Sequence, residues 1–299
     1  MALEATPEFW LLALHTLPGV RMARVARILE VLHRHQAAPE TFFRESPDLW
    51  RKKYDLPAPV VHYLEHHVNT HLSRTRELME WLRRNDVWFL TYTDPRYPPE
   101  FRTLPYRVPL IYGRGPQGLW AQRPRIAFLN SRFLREDTAA LLREAAAAVL
   151  RDLKVCVVTS PFRAAYRACA EEAVQAGCPV ILVGDRGIRM LLESRWVRRL
   201  AGSQMLITPS APDDMGTPGS GMIRDDLIGT LADVLVGFEI YEGGNMERQF
   251  LRGLETGKVV LLWDRHGRDL ANPRLLRRGA VPFRTLQELL VRLRDELGL

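Results

Sequence analysis

The sequence predicts an α/β fold: a parallel sheet covered by helices on both faces, preceded by a small all-α N-terminal domain. Two observations predict it. From Arg125 onward, near-continuous apolar runs such as "RIAFLN", "KVCVVTS", "PVILVG" and "DVLVGFEI" alternate with amphipathic stretches. Strands of that kind, separated by helices, belong to a parallel sheet buried on both sides. Before residue 90, apolar residues instead recur at helical spacing in "EFWLLALHTL", "RVARILEVLHRH" and "PAPVVHYLEHHVNTHLSRTRELMEWLRRN".

Residues 1–88 therefore read as a helical module punctuated by Pro18-Gly19 and closed by a long helix. Residues 89–122, which open with "FLTYTDPRYPPEFRTLPYRVPLIYGRG", are rich in proline and aromatics and read as an extended connector. Residues 123–299 form the core. The helices read there are "DTAALLREAAAAVLRDL", "AAYRACAEEAVQAG", "IRMLLESRWVRRLA", "IRDDLIGTLA" and "NMERQFLRGLETG". They alternate with the strands named above and with "SQMLIT" and "KVVLLW", and "TLQELLVRLRDELGL" closes the chain as an amphipathic helix. In such a sheet the crossovers are right-handed, and a ligand site lies outside the carboxyl ends of the strands.

The chain of 299 residues carries a net charge of +7, divided as +3 up to residue 120 and +4 beyond it, so the excess is not gathered in a tail. Only four of the 42 basic residues are lysine. Arginine forks suit bidentate phosphate contact, so polyanion binding fits; an arginine-rich genome gives the same bias. The N-terminus lacks a secretory pattern, and no apolar run reaches membrane-spanning length. A cytoplasmic location and no membrane association are expected. Cys156, Cys169 and Cys178 have neither disulfide nor zinc-ribbon spacing.

The candidate site follows from the topology. Arg132 follows one strand, Arg163 follows the next, and Arg224 opens a helix. Turns after neighbouring strands converge on one sheet edge, where helix N-termini attract phosphate. The turn Thr159-Ser160-Pro161-Phe162 has no glycine, so any phosphate binding there leans on arginine side chains rather than a backbone cradle. Phe133, Phe162 and Tyr166 are the neighbouring aromatics on which bases could stack. The alternative is that Phe162 is core and the arginines pair with Asp225 and Asp226.

Several stretches together resemble the DNA-processing protein A family nearly end to end. The connector "YTDPRYPPEFRTLPYRVPLIYGRG" is the most specific. "LPGVRMARVARILEVL", "RIAFLNSR", "ADVLVGFEIYEGGNMERQFLRGLETGKVVLLW" and "NPRLLRRGA" support it. The resemblance implies an extended Rossmann-like core that binds single-stranded DNA without catalysis, in recombination or in processing incoming DNA. It also implies a homodimer and a RecA-type recombinase as partner, and it calls for no cofactor. The matching positions are Arg132, Arg163, Arg224, Glu239, Gly243 and Gly244. The departures are Ser160 and Ala164 for glycines, Tyr166 for aspartate, Ala170 for histidine, and Asp226 for an arginine. The last reverses a charge where the resemblance places a phosphate. A second reading is a nucleotide-sensing or nucleotide-processing protein of the same superfamily, with defence signalling as one such role and with Glu239, Gly243 and Gly244 lining a small pocket. A third is a ligand-free scaffold subunit.

Three further stretches remain. "LPGVRMARVARIL" resembles a SAM or helix-hairpin-helix-like element in which Arg21 and Arg24 either contact DNA phosphates or form a solvated face. The loop "PSAPDDMGTPGSG" is either a closing loop or a disordered insert, and Asp213, Asp214, Asp225 and Asp226 are a conceivable cation set. His62, Glu65 and His66 spell H-x-x-E-H; we read this as a solvated histidine face and expect no metal.

Overall fold

A computed structural model describes residues 6–199, 204–267 and 269–299. The helical module consists of α1 (Pro7–His15), α2 (Met22–Arg34), α3 (Pro39–Arg44), α4 (Pro47–Tyr54) and α5 (Ala58–Arg84). Its breaks have local causes. Thr6 and Ser46 cap α1 and α4 by accepting the amides of Phe9 and Leu49. Proline starts α1, α3 and α4, where a missing N–H costs nothing. Gly19, at φ +77°, turns the chain between α1 and α2, and a Cβ there would lie 2.9 Å from Val60.

The described residues of the core form a nine-stranded sheet in the order β1-β2-β6-β5-β4-β3-β7-β8-β9. The strands are β1 (Val87–Thr91), β2 (Leu110–Arg114), β3 (Arg125–Phe128), β4 (Cys156–Thr159), β5 (Val180–Val183), β6 (Gln204–Thr208), β7 (Val234–Gly237), β8 (Val259–Trp263) and β9 (Val281–Phe283). The helices are α6 (Glu136–Leu153), α7 (Ala164–Gln175), α8 (Ile188–Glu193), α9 (Arg195–Arg199), α10 (Ser220–Leu231), α11 (Asn245–Glu255), α12 (Asn272–Arg277) and α13 (Leu286–Leu297). Pairing from β6 through β9 is parallel, as expected. The strand order reverses at β3, which lies between β4 and β7.

The connector departs from its reading as a mere extended link. Its β2, with β1 at its start, joins the sheet antiparallel next to β6, so the sheet is mixed at that edge. The strand β9 was not expected from the sequence. The helix read over 188–201 breaks at Ser194 into α8 and α9; its last two residues, and Ser203 of the strand read as "SQMLIT", lie outside the described residues.

Side chains alternate across the sheet. Tyr112, Phe128 and Val157 face one core, while Ile111, Ala127 and Val158 face the other. The first of these cores runs without interruption into the helical module through Phe9, Leu14, Leu64 and Leu82. At this junction the buried His15 Nδ1 lies 2.9 Å from the Tyr112 hydroxyl, and Nε2 of the buried His71 lies 2.7 Å from the Ala13 carbonyl.

Candidate functional site

The loops after β3, β4 and β7 converge where the strand order reverses. They enclose a cleft of about 380 Å³ lined by Ser131, Arg132, Phe133, Arg163, Gly221 and Asn245, among others. The N-termini of α7, α10 and α11 open onto it through Arg163, Gly221 and Gly244. Each such terminus carries unsatisfied N–H groups and a partial positive charge.

The turn without glycine has found another solution. Ser160 is fully buried, and its Oγ accepts the Phe162 amide at 3.3 Å. The Thr159 hydroxyl donates to the Tyr166 carbonyl at 3.0 Å. Arg163 then takes φ +69°, ψ 140°, a conformation that favours glycine. A side chain held in such a region costs on the order of 1–3 kcal/mol, and such residues cluster at functional sites.

Arg163 is half-buried, and among the described residues its guanidinium has no hydrogen-bond or ion-pair partner. Its guanidinium flanks Gly221: a Cβ on that glycine would lie 3.8 Å from Arg163 and 3.7 Å from Arg224. Arg132 also lines the cleft, exposed and without an ion-pair partner among the described residues, and next to it Phe133 is 76% exposed.

Arg224 has a different role. It is 1% exposed and pairs with Asp185 and Asp225, each at 2.7 Å. Burial opposes its charge, but Asp225, Tyr166 and Asp185 outweigh that and hold its pKa above the ordinary value. Tyr166 lies under the guanidinium and donates to Asp225 at 3.0 Å, and the Asn245 amide donates to the other Asp225 oxygen at 3.0 Å. Arg224 is thus the centre of a buried network behind the cleft.

Several expectations are corrected by these positions. Tyr166 is buried and hydrogen-bonded, so it is no stacking platform. Ser160 is likewise enclosed. Phe162 is half-buried against the core, and Arg186 covers its ring at 4.2 Å. Asp226 does not line the cleft: its carboxylate points toward the connector, where it accepts from the Tyr106 hydroxyl at 2.6 Å and from the Gln249 amide.

The four aspartates do not form a cation set: Asp213 pairs with Arg189, Asp225 with Arg224, and the Asp214 carboxylate accepts the Gly216 amide. The loop after β6 is ordered rather than a disordered insert, bonded to the β5–α8 segment through the Gly187 amide and the Asp214 carbonyl at 2.7 Å. Arg21 precedes α2 exposed and Arg24 is half-buried in its first turn; neither lines the cleft.

The pocket expected for a nucleotide is occupied by the protein's own side chains. Glu239 is 1% exposed and is bonded by Arg135 at 2.9 Å, Thr138 at 2.9 Å and Arg265 at 3.2 Å. The Gly243 amide donates to Glu247 at 2.7 Å. Gly244 lines the cleft at the start of α11. Asp185, a partner of Arg224, and Glu247, a partner of Gly243, were missed from the sequence.

Comparison with known proteins agrees with this architecture. The structure resembles DNA processing protein A from Streptococcus pneumoniae, with a TM-score of 0.66 and 16% identity, covering 95% of this chain and 96% of that one. It also resembles the Helicobacter pylori DNA processing protein A, in a structure described as revealing a single-stranded DNA binding mode. There the TM-score is 0.59 and the identity 15%, over 70% of this chain and 97% of that one. A search of curated protein sequences gives no match. The sequence profile of DNA recombination-mediator protein A matches residues 88–294. With the greater part of its length matching that profile on the same fold, the chain belongs to the DNA recombination-mediator protein A family.

Proposed function

We propose that the cleft at the strand reversal binds single-stranded DNA, and that the protein acts without catalysis in recombination or in processing incoming DNA. Family membership supports a role in DNA processing and recombination. The observation that carries the finer reading is Arg163: an unpaired guanidinium held in a conformation that favours glycine, where three helix N-termini meet. Arg163 and Arg132 contact phosphates, and the exposed Phe133 stacks on a base. Arg224 fixes the site from behind rather than touching the strand. Binding by the Helicobacter relative named above is consistent with this assignment.

Burial pushes Cys156 and Cys169 up to about 12, so neither thiol is poised as a nucleophilic thiolate. The role includes a homodimer and transfer of the strand to a RecA-type recombinase, as the family resemblance implies. Fluorescence anisotropy on single-stranded and duplex oligonucleotides across a salt series tests the site. Wild type prefers the single strand and loses affinity with salt. Arg163→Ala and Arg132→Ala each weaken binding and reduce the salt slope by about 0.7. Unchanged affinity and slope in both variants would overturn the assignment.

A further inference from the structure

We propose that His62, Glu65 and His66 on α5 form a binding site for a divalent transition-metal ion of the zinc class, in place of the plain solvated face expected from the sequence. The three residues stand at positions i, i+3 and i+4 and so share one face of the helix. Their ligand atoms all lie within 4.8 Å of one another, and all three residues are exposed. The two imidazole rings are 4.3 Å apart.

The orientation of His66 is what separates this cluster from a chance grouping. Its Nδ1 lies 2.9 Å from the His62 carbonyl. A carbonyl can only accept, so Nδ1 carries the proton and Nε2 keeps a lone pair for a ligand. A backbone carbonyl behind the ring is a common outer-shell partner of metal-bound histidine. Glu65 has no ion-pair partner among the described residues, so no salt bridge has to break to release its oxygen.

The backbone beneath the ligands is fixed. Val60, Val61 and Leu64 are buried on the opposite side of the same turn and anchor α5 to α1 and α4. Two imidazoles with one carboxylate suit zinc, nickel or copper and do not suit magnesium or calcium, which take oxygen donors. Three protein ligands leave a fourth position open to water, as in an open rather than a closed zinc site. The site lies on the helical module, shares no residue with the DNA cleft, and does not depend on that reading.

The test is isothermal titration of the full chain, stripped with chelator, with zinc sulfate. One ion per chain binds in the wild type, and uptake weakens toward acid pH because the ligands must be deprotonated. His62→Ala and His66→Ala each weaken binding by at least the ~10–100-fold seen on losing an outer-shell partner. Glu65→Gln weakens it measurably. His67→Ala, an exposed neighbour outside the trio, leaves it unchanged, and circular dichroism confirms that each variant is folded. Cobalt substitution in the wild type gives visible absorption bands that His66→Ala lacks. Absence of binding to the wild type at millimolar zinc would overturn the proposal. So would binding that survives both histidine substitutions or is lost equally in His67→Ala.

Discussion

His15 makes the joint between the helical module and the sheet sensitive to acid. It lies on α1, fully enclosed, and its ring meets the Tyr112 hydroxyl of β2. Burial lowers its pKa from the ordinary 6.5 to about 4. The folded protein therefore holds a neutral imidazole between those values, while the unfolded chain takes up a proton. Stability from this residue is full above pH 6.5 and falls as the pH drops toward 4. The gap corresponds to about 3 kcal/mol, a large fraction of a typical folding free energy. His71, lowered mainly by burial, adds to the trend in the same direction. His15→Gln removes the titration and keeps a group able to bond Tyr112. Urea unfolding followed by tryptophan fluorescence at pH 7 and pH 4 measures the effect, because the difference between wild type and variant cancels the contribution of the carboxylates. Wild type should lose about 3 kcal/mol more than the variant over that interval. An equal loss in both proteins would refute the assignment of the acid sensitivity to His15.

The buried network behind the cleft makes a second prediction. Asp225→Ala removes the acceptor of Arg224, Tyr166 and Asn245, and should cost about 3–5 kcal/mol, read as a lowered unfolding midpoint. Gly221 offers a more local perturbation, because a Cβ there makes only ordinary contacts with the two guanidiniums. Gly221→Glu should abolish single-strand binding while Gly221→Ala keeps most of it, with both proteins folded; equal affinity in the two would place the strand elsewhere.

The parallel strands were legible in the sequence because a strand buried on both faces must be apolar at every position, as in "VILV" of β5. β2 was not, because prolines and aromatics surround it and its register depends on β6, nearly a hundred residues away. The convergence of Arg132 and Arg163 followed from topology alone. The neutralisation of Arg224 was legible only in part: pairing with its neighbour Asp225 was the alternative reading, whereas the other partner, Asp185, lies 39 residues away. Adjacency in sequence also misled at Asp226, whose side chain leaves α10 toward Tyr106 of the connector. The structural role of Tyr166, which stands where the resemblance expects aspartate, is readable only in three dimensions, where Tyr166 and Asp225 meet across two helices.

The backbone at Arg163 sets evolvability against robustness. Glycine at that position would adopt the same dihedral angles without steric cost, so Arg163→Gly should raise the folding free energy by up to the ~1–3 kcal/mol now stored there. The same change would delete the unpaired cation of the cleft. A screen for thermal stability alone would therefore enrich a protein that folds better and lacks the cation on which the proposed strand binding rests. If the proposed strand binding holds, the arginine contributes to binding what it takes from the stability of its own backbone.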